Sequence, residues 1–342
     1  MDVFTEVHPT LDNYWRAVIL FGRNVASYKF ALGKSLLAFA AREAAVVPLA
    51  ELALPFARHV CEHLKGCDKQ ATSQSSRFLD RCRTFNRGDL SEAALAASAV
   101  ELGFNNVIDA FHVVGRAPVG VRFFADERGE PTAGIRLTDD LFRLAASYQH
   151  RNLPAEVEAR WRLVETAWDL GLPTAALTVS YDVETGGLIA GTRLGRRKSI
   201  VACRDALNGY QKGKCFYCFR DVSVVEGAAD LADVDHVFPH RLKPHRVAEP
   251  VDGIWNLVLA CPACNRGAGG KFDSLPELRY LERLHRRNEF LIGSHHPLRE
   301  TLMLQTGDAE PARRAFLGGA YESAVRLLIH RWRPAHEHEP AF

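Results

Sequence analysis

The chain has 342 residues, 47% of them hydrophobic and 25% charged, which is ordinary globular composition with length for two domains and excludes a disordered chain. Its 43 basic and 41 acidic side chains leave a net charge of +2. That balance excludes a global attraction to nucleic acid, so such a partner must be held by local patches.

The N-terminus, Met-Asp-Val-Phe-Thr-Glu-Val-His, has no basic region and no long apolar core, so no signal peptide is expected. The most apolar early stretch, Ala17–Phe21, lies between Arg16 and Arg23 and is too short to span a bilayer. A cytoplasmic protein with no membrane partner is expected. Residues 11–115 read as helical. Leu11–Ala41 carries apolar groups at helical spacing, and Pro48 and Pro55 interrupt the pattern before Phe56–Leu64 resumes it. Tyr14, Trp15, Arg16, Phe21, Tyr28 and Phe30 at that spacing read as core rather than as a base-stacking platform. Ser91–Leu102 is a further helix. Val121–Ala125 and Thr132–Leu137 flank Asp126-Glu127-Arg128-Gly129 as a hairpin. Helices follow from Thr138 to about Tyr148 and over Pro154–Leu170. A second hairpin pairs Leu177–Val183 with Leu188–Ala190. The basic group Arg193, Arg196, Arg197 and Lys198 then leads into a helix from about Ser199 to Tyr210. Beyond residue 273, Leu275–Phe290 and Tyr321–Trp332 read as helices, with Arg283, Arg286 and Arg287 as surface charge and a frayed tail from Pro334.

Eight cysteines in a reducing compartment are thiols or metal ligands before they are disulfides. Cys61, Cys67, Cys82 and Cys203 are scattered singly and read as small core residues. The other four form two knuckles, Cys215-Phe-Tyr-Cys218 and Cys261-Pro-Ala-Cys264. Two thiolate pairs supply the four soft ligands of a closed, tetrahedral structural zinc site. A redox role for one pair leaves the second unexplained. The segment between the knuckles is longer than in a simple zinc ribbon, so the ion clamps the ends of an insert. Within it, Ala232–Val237 and Asn256–Ala260 read as a hairpin, joined by the proline- and charge-rich loop His240–Gly253, and a short helix starts near Pro262–Asn265.

The order Cys-x-x-Cys, Asp235-His236-x-x-Pro239, Asn256-Leu-Val and Cys-x-x-Cys-Asn265 resembles the HNH endonuclease family, whose core is a ββα-metal finger. The resemblance covers roughly residues 199–273, about a fifth of the chain. It implies a DNA endonuclease or nickase. His236 would be the general base, and Asp235 and Asn265 would hold a catalytic magnesium or manganese ion. Asn256 would brace the loop carrying His236 through backbone hydrogen bonds. On a regular strand Asp235 and His236 point to opposite faces, so their convergence on one site is an implication of the family, where the motif lies at an irregular strand end. Arg196, Arg197, Lys198, Arg266 and Lys271 are the expected contacts to the DNA phosphate backbone. His240 reads equally as a contact to metal or phosphate and as a solvated loop residue.

Together these readings predict an α+β, mainly helical chain in three parts. Residues 1–190 form a mostly helical partner- or substrate-positioning region with small hairpins, and residues 191–274 a ββα-metal nuclease domain with a zinc clamp. Residues 275–342 form helices packing on that domain. The architecture is similar to stand-alone bacterial HNH nucleases of anti-phage systems, including Zorya-type ones. That similarity implies protein partners of a defence system, and one active site per chain implies a dimer or two visits for double-strand cutting. The alternative is a non-catalytic zinc module that binds nucleic acid or protein, which keeps the cysteines but has no need of Asp235, His236 and Asn265 together.

Overall fold

The computed structural model describes residues 10–21, 26–73, 75–115, 117–129, 133–147, 150, 152–170, 178–182, 187–191, 197–225, 227–247, 249–294, 296 and 298–341. The chain is α+β and mainly helical, with five small sheets among the described residues. It divides into two compact units, Met1–Gly171 and Leu172–Phe342. No helix of the described residues is long and apolar enough to cross a membrane.

The first unit runs α1 (Leu11–Phe21), α2 (Tyr28–Ala40), β1 (Val46–Pro48), α3 (Leu49–Gly66), α4 (Arg77–Asn86), α5 (Glu92–Ser98), α6 (Val107–Ala110), β2 (Val113–Val114), β3 (Ala117–Pro118), β4 (Phe124–Glu127), β5 (Gly134–Leu137), α7 (Asp139–Ala146) and α8 (Leu153–Leu170). Ser76 and Ser91 cap α4 and α5, their hydroxyls accepting from the amides of Leu79 and Ala94. Contrary to the sequence reading, α3 passes through Pro55. A proline there removes one backbone bond, but Leu52, Ala53, Phe56, Ala57 and Val60 are buried along the helix and hold it together. The expected hairpin forms between β4 and β5, with β1 added as a third strand on the β5 side. Trp15, Phe30, Phe56, Phe111, Phe123 and Trp161 fill the core, so the N-terminal aromatics pack inward as their spacing predicts. The side chain of Phe21 lies outside the described residues. Cys61, Cys67 and Cys82 are buried thiols.

The second unit begins with a three-stranded antiparallel sheet of β6 (Thr178–Asp182), β7 (Gly187–Gly191) and β8 (Arg197–Ala202). This moves two expected boundaries. The helix predicted from Ser199 starts only at Cys203, as α9 (Cys203–Gln211), because residues 197–202 pair with β7. The break expected at residue 190 falls at 171/172, because β7 bonds to β8 and carries the whole hairpin into the second unit. Next come β9 (Asp233–His236), β10 (Leu257–Ala260) and α10 (Pro262–Arg266), then β11 (Leu275–Pro276), α11 (Leu278–Gly293), α12 (Arg299–Thr306), α13 (Glu310–Leu327) and β12 (Arg331–Trp332). Residues 275–342 therefore share one unit with the cysteine region rather than forming a third part.

The tail is not frayed. β12 pairs in parallel with β11, the Trp332 indole donates to the Gly269 carbonyl at 2.8 Å, and the His338 amide donates to the Cys218 carbonyl at 2.8 Å. Arg283 and Arg287 are likewise not surface charge. Arg283 donates to the carbonyls of Phe216 and Tyr217, and the buried Arg287 donates to those of Ile254, Trp255 and Leu257. One helix, α11, thus satisfies carbonyls in both the first knuckle and the start of β10, which irregular backbone there leaves without ladder partners.

In the first unit, buried Arg16 makes a two-pronged bond to buried Glu156, at 2.6 and 2.9 Å. Arg16 also bonds Asp12 at 2.5 Å, so loss of Glu156 leaves its charge paired to a less buried carboxylate. Glu156→Ala should lower stability by roughly 1–3 kcal/mol in equilibrium urea denaturation, whereas a change under about 0.5 kcal/mol would place the pair among weak surface bridges.

Candidate metal centre

The four knuckle cysteines come together. Cys215, Cys218, Cys261 and Cys264 are all buried, and their sulfurs lie within 4.8 Å of one another. Each knuckle is shaped by its backbone. The Phe219 amide returns to the Cys215 carbonyl at 3.0 Å with Phe219 in the left-handed region (φ 60°), and the Cys264 and Asn265 amides both donate to the Cys261 carbonyl at 3.0 Å. Sulfurs bound to a tetrahedral zinc at about 2.3 Å stand about 3.8 Å apart, and the Cys218–Cys261 sulfurs are 3.7 Å apart. Hydrogen bonds from Cys215 draw Cys218 down to about 7 and Cys261 well below an ordinary thiol, while those within the cluster push Cys215 and Cys264 up. The cluster can hold a metal ion, and its donor set suits a soft, tetrahedral one.

Between the knuckles, β9 and β10 form the expected antiparallel hairpin, with Asp235 opposite Val258 and His236 opposite Leu257. α10 follows directly, starting from Pro262 at its first position. The outer edge of β10 is closed at Leu259, whose amide and carbonyl both bond the Gln211 side chain at 2.8 Å.

The register of β9 is unbroken through His236, so alternation applies and its neighbouring side chains leave on opposite faces. Asp235 is buried. Tyr217 donates to its Oδ2 at 2.6 Å, and Lys271 Nζ lies 3.2 Å from both of its carboxylate oxygens. Burial first, and the Asp235 charge second, push the Tyr217 hydroxyl well above its ordinary value, so it stays a donor. Asn265 is committed elsewhere, its amide donating to Asp233 Oδ2 at 3.1 Å beside Arg266 at 2.8 Å. Of the expected magnesium pair, Asp235 is therefore ion-paired to the Lys271 ammonium, and Asn265 bonds Asp233, which leaves β9 on the same face as Asp235.

Lys271 is also not a phosphate contact, being 0% exposed. The glycine-rich stretch after α10 folds back on the helix. A β-carbon on Gly267 would lie 2.8 Å from the Ala263 backbone, and Gly269 sits at φ 76°, a conformation glycine adopts without penalty. The Lys271 amide then bonds the Cys264 carbonyl at 2.7 Å, which turns its side chain inward. Arg266 remains two-thirds exposed beside Asp233. Arg196 lies outside the described residues, as do the side chains of Arg197 and Lys198.

His236 has different company. Its Nε2 is 3.0 Å from His240 Nε2 and 3.4 Å from Asp252 Oδ1, and His240 Nε2 is 2.7 Å from that same oxygen. Burial, then His236, lower the His240 imidazole below its usual value, leaving it neutral at physiological pH. His236, and then Lys243 at 2.7 Å, hold the Asp252 carboxyl well below the usual carboxylate range. The buried Asn256 fixes the frame. Its Oδ1 accepts from the Phe238 amide, and its Nδ2 donates to the carbonyls of Phe238 and Val251, all at 2.8–2.9 Å. One amide thus ties down both the segment that presents His240 and the one that presents Asp252.

Sequence reasoning did not find Asp252, which sits in a turn with no spacing that marks it. The exposed Arg241, Lys243 and Arg246 were also missed. They share the 3-10 turn His240–His245 or adjoin it, and their alternation with Leu242, Pro244 and His245 hides them as a patch. No family model, curated protein or solved structure matches the chain.

Lys271→Ala separates a buried partner from a phosphate contact. Leaving Asp235 charged and buried should cost about 3 kcal/mol of stability, read in urea denaturation. An unchanged midpoint would return Lys271 to the surface role.

Proposed function

We propose that this chain is a zinc-stapled endonuclease that hydrolyses DNA phosphodiester bonds, with His236, His240 and Asp252 at the reacting centre. The observation that carries the reading is the pair of imidazoles, 3.0 Å apart, at the end of the clamped hairpin. Hydrolysis needs a group that takes a proton from the attacking water. In a nitrogen–nitrogen contact of that length at least one imidazole lacks its proton, and His240 is neutral, so an acceptor is in place near pH 7. Asp252 orients the pair. The ββα order of β9, β10 and α10 supports the reading, as do the exposed cations Arg241, Lys243, Arg246 and Arg266, which can grip phosphate without base preference. Zinc is the proposed occupant of the four sulfurs. The proposed setting is the bacterial cytoplasm, in defence against foreign DNA with protein partners of that system, as the family resemblance implies.

A non-catalytic zinc module is the second reading. It is favoured by the commitment of Asp235 to Lys271 and of Asn265 to Asp233. A plasmid assay separates the two. With magnesium or manganese present, the wild type should convert supercoiled plasmid to open-circle or linear product, and His236→Ala should lose at least a hundredfold in rate, the scale of a lost acid–base group. Equal inactivity of both proteins on several substrates supports the binding module instead.

A further inference from the structure

The geometry points to a second metal site, separate from the four sulfurs: His236 Nε2, His240 Nε2 and Asp252 Oδ1 form a facial triad for one divalent transition ion. Three donors held about 2.1 Å from one ion and at right angles to each other stand about 3.0 Å apart. Here the three separations are 2.7, 3.0 and 3.4 Å.

The orientation of the rings argues the same way. A straight bond from one imidazole to another holds their centroids about 5 Å apart. These lie 4.1 Å apart with planes at 82°, so the contact is bent rather than a straight nitrogen–nitrogen hydrogen bond. Oδ1 of Asp252 is buried, and the imidazole nitrogens of His240 and His236 lie 2.7 and 3.4 Å from it without a well-aligned hydrogen bond. An ion between the three atoms would meet the carboxylate charge directly. The sister oxygen is anchored by Lys243, which fixes the carboxylate while leaving Oδ1 to the site. His236 is 11% exposed, Asp252 22% and His240 41%. One side of the triad therefore opens to solvent, as an ion with free coordination positions requires.

The donors also set the choice of ion. Two imidazoles and one carboxylate suit manganese, cobalt, nickel or zinc, whereas magnesium takes oxygen ligands. This is the reverse of the preference that a site built from Asp235 and Asn265 would have. The site uses the same two nitrogens as the proposed reaction, so an ion held there would take over activation of the water from the free imidazole, and its binding is measured without any substrate.

The test uses the full chain with one zinc per chain confirmed by elemental analysis. Manganese is then titrated and the free-ion signal followed by electron paramagnetic resonance. One manganese per chain should bind, and millimolar magnesium should not displace it. His240→Ala and Asp252→Asn should each weaken binding at least tenfold while circular dichroism and zinc content stay unchanged, and Asn265→Ala should leave it within twofold. If His240→Ala disturbs the fold, Asp252→Asn carries the comparison alone, since it changes one atom of the carboxylate. Absence of manganese binding at millimolar concentration overturns the site, as does loss of binding in Asn265→Ala with none in Asp252→Asn. Plasmid cleavage on the same preparations keeps the two ideas apart. Binding without cleavage upholds the site and rejects the nuclease, whereas cleavage without manganese binding rejects the site and keeps the nuclease.

Discussion

Alternation along one short strand decides which side chains meet on each face of the hairpin between the two cysteine pairs. Asp233, Val234, Asp235 and His236 pair in unbroken register with Leu257–Ala260, so adjacent side chains leave on opposite faces. Asp235 enters a closed pocket where a tyrosine hydroxyl and a lysine ammonium satisfy it. His236 meets a second imidazole and a carboxylate at the surface. One residue of shift in the register would exchange these environments, burying an imidazole against Lys271 and setting Asp235 beside His240.

What fixes that register lies at the two ends of β10. Before it, Asn256 holds the loop backbone on either side of the hairpin through three hydrogen bonds, and Arg287 occupies the carbonyls of Ile254, Trp255 and Leu257. After it, Cys261 joins the sulfur cluster. Four residues of strand therefore connect the buried four-sulfur cluster to the imidazole pair, and a disturbance at the sulfurs would reach His236 through regular backbone rather than through a long loop. The C-terminal tail adds a further strap, bonding the backbone at Cys218 and Gly269.

Much of this was legible in the residues. Two Cys-x-x-Cys pairs announce a shared cluster because the ligand spacing is set by the metal's own geometry, and that logic is local. The hairpin, α10 and the inward N-terminal aromatics follow from alternation, helical period and turn chemistry in the same way. The illegible parts all depend on non-local contacts. Asp252 reaches His240 only because Asn256 folds the loop, and Lys271 turns inward only because Gly267 and Gly269 let the chain double back. Arg283 and Arg287 look like solvated charge on a helix face until two irregular segments present their carbonyls to it. Pro55 misleads for a related reason, since a buried face outweighs one missing backbone bond. The expectation that Asp235 and Asn265 share an ion rested on resemblance, and the bonds of Asp235 to Lys271 and of Asn265 to Asp233 are non-local contacts that no spacing in the sequence announces.

Anomalous diffraction from a crystal of the full chain soaked in manganese tests the division of the two faces most directly. A manganese peak bonded to His236, His240 and Asp252 is expected, with Asp235 still held by Tyr217 and Lys271. A peak lying between Asp235 and Asn265, with Lys271 displaced, would contradict it.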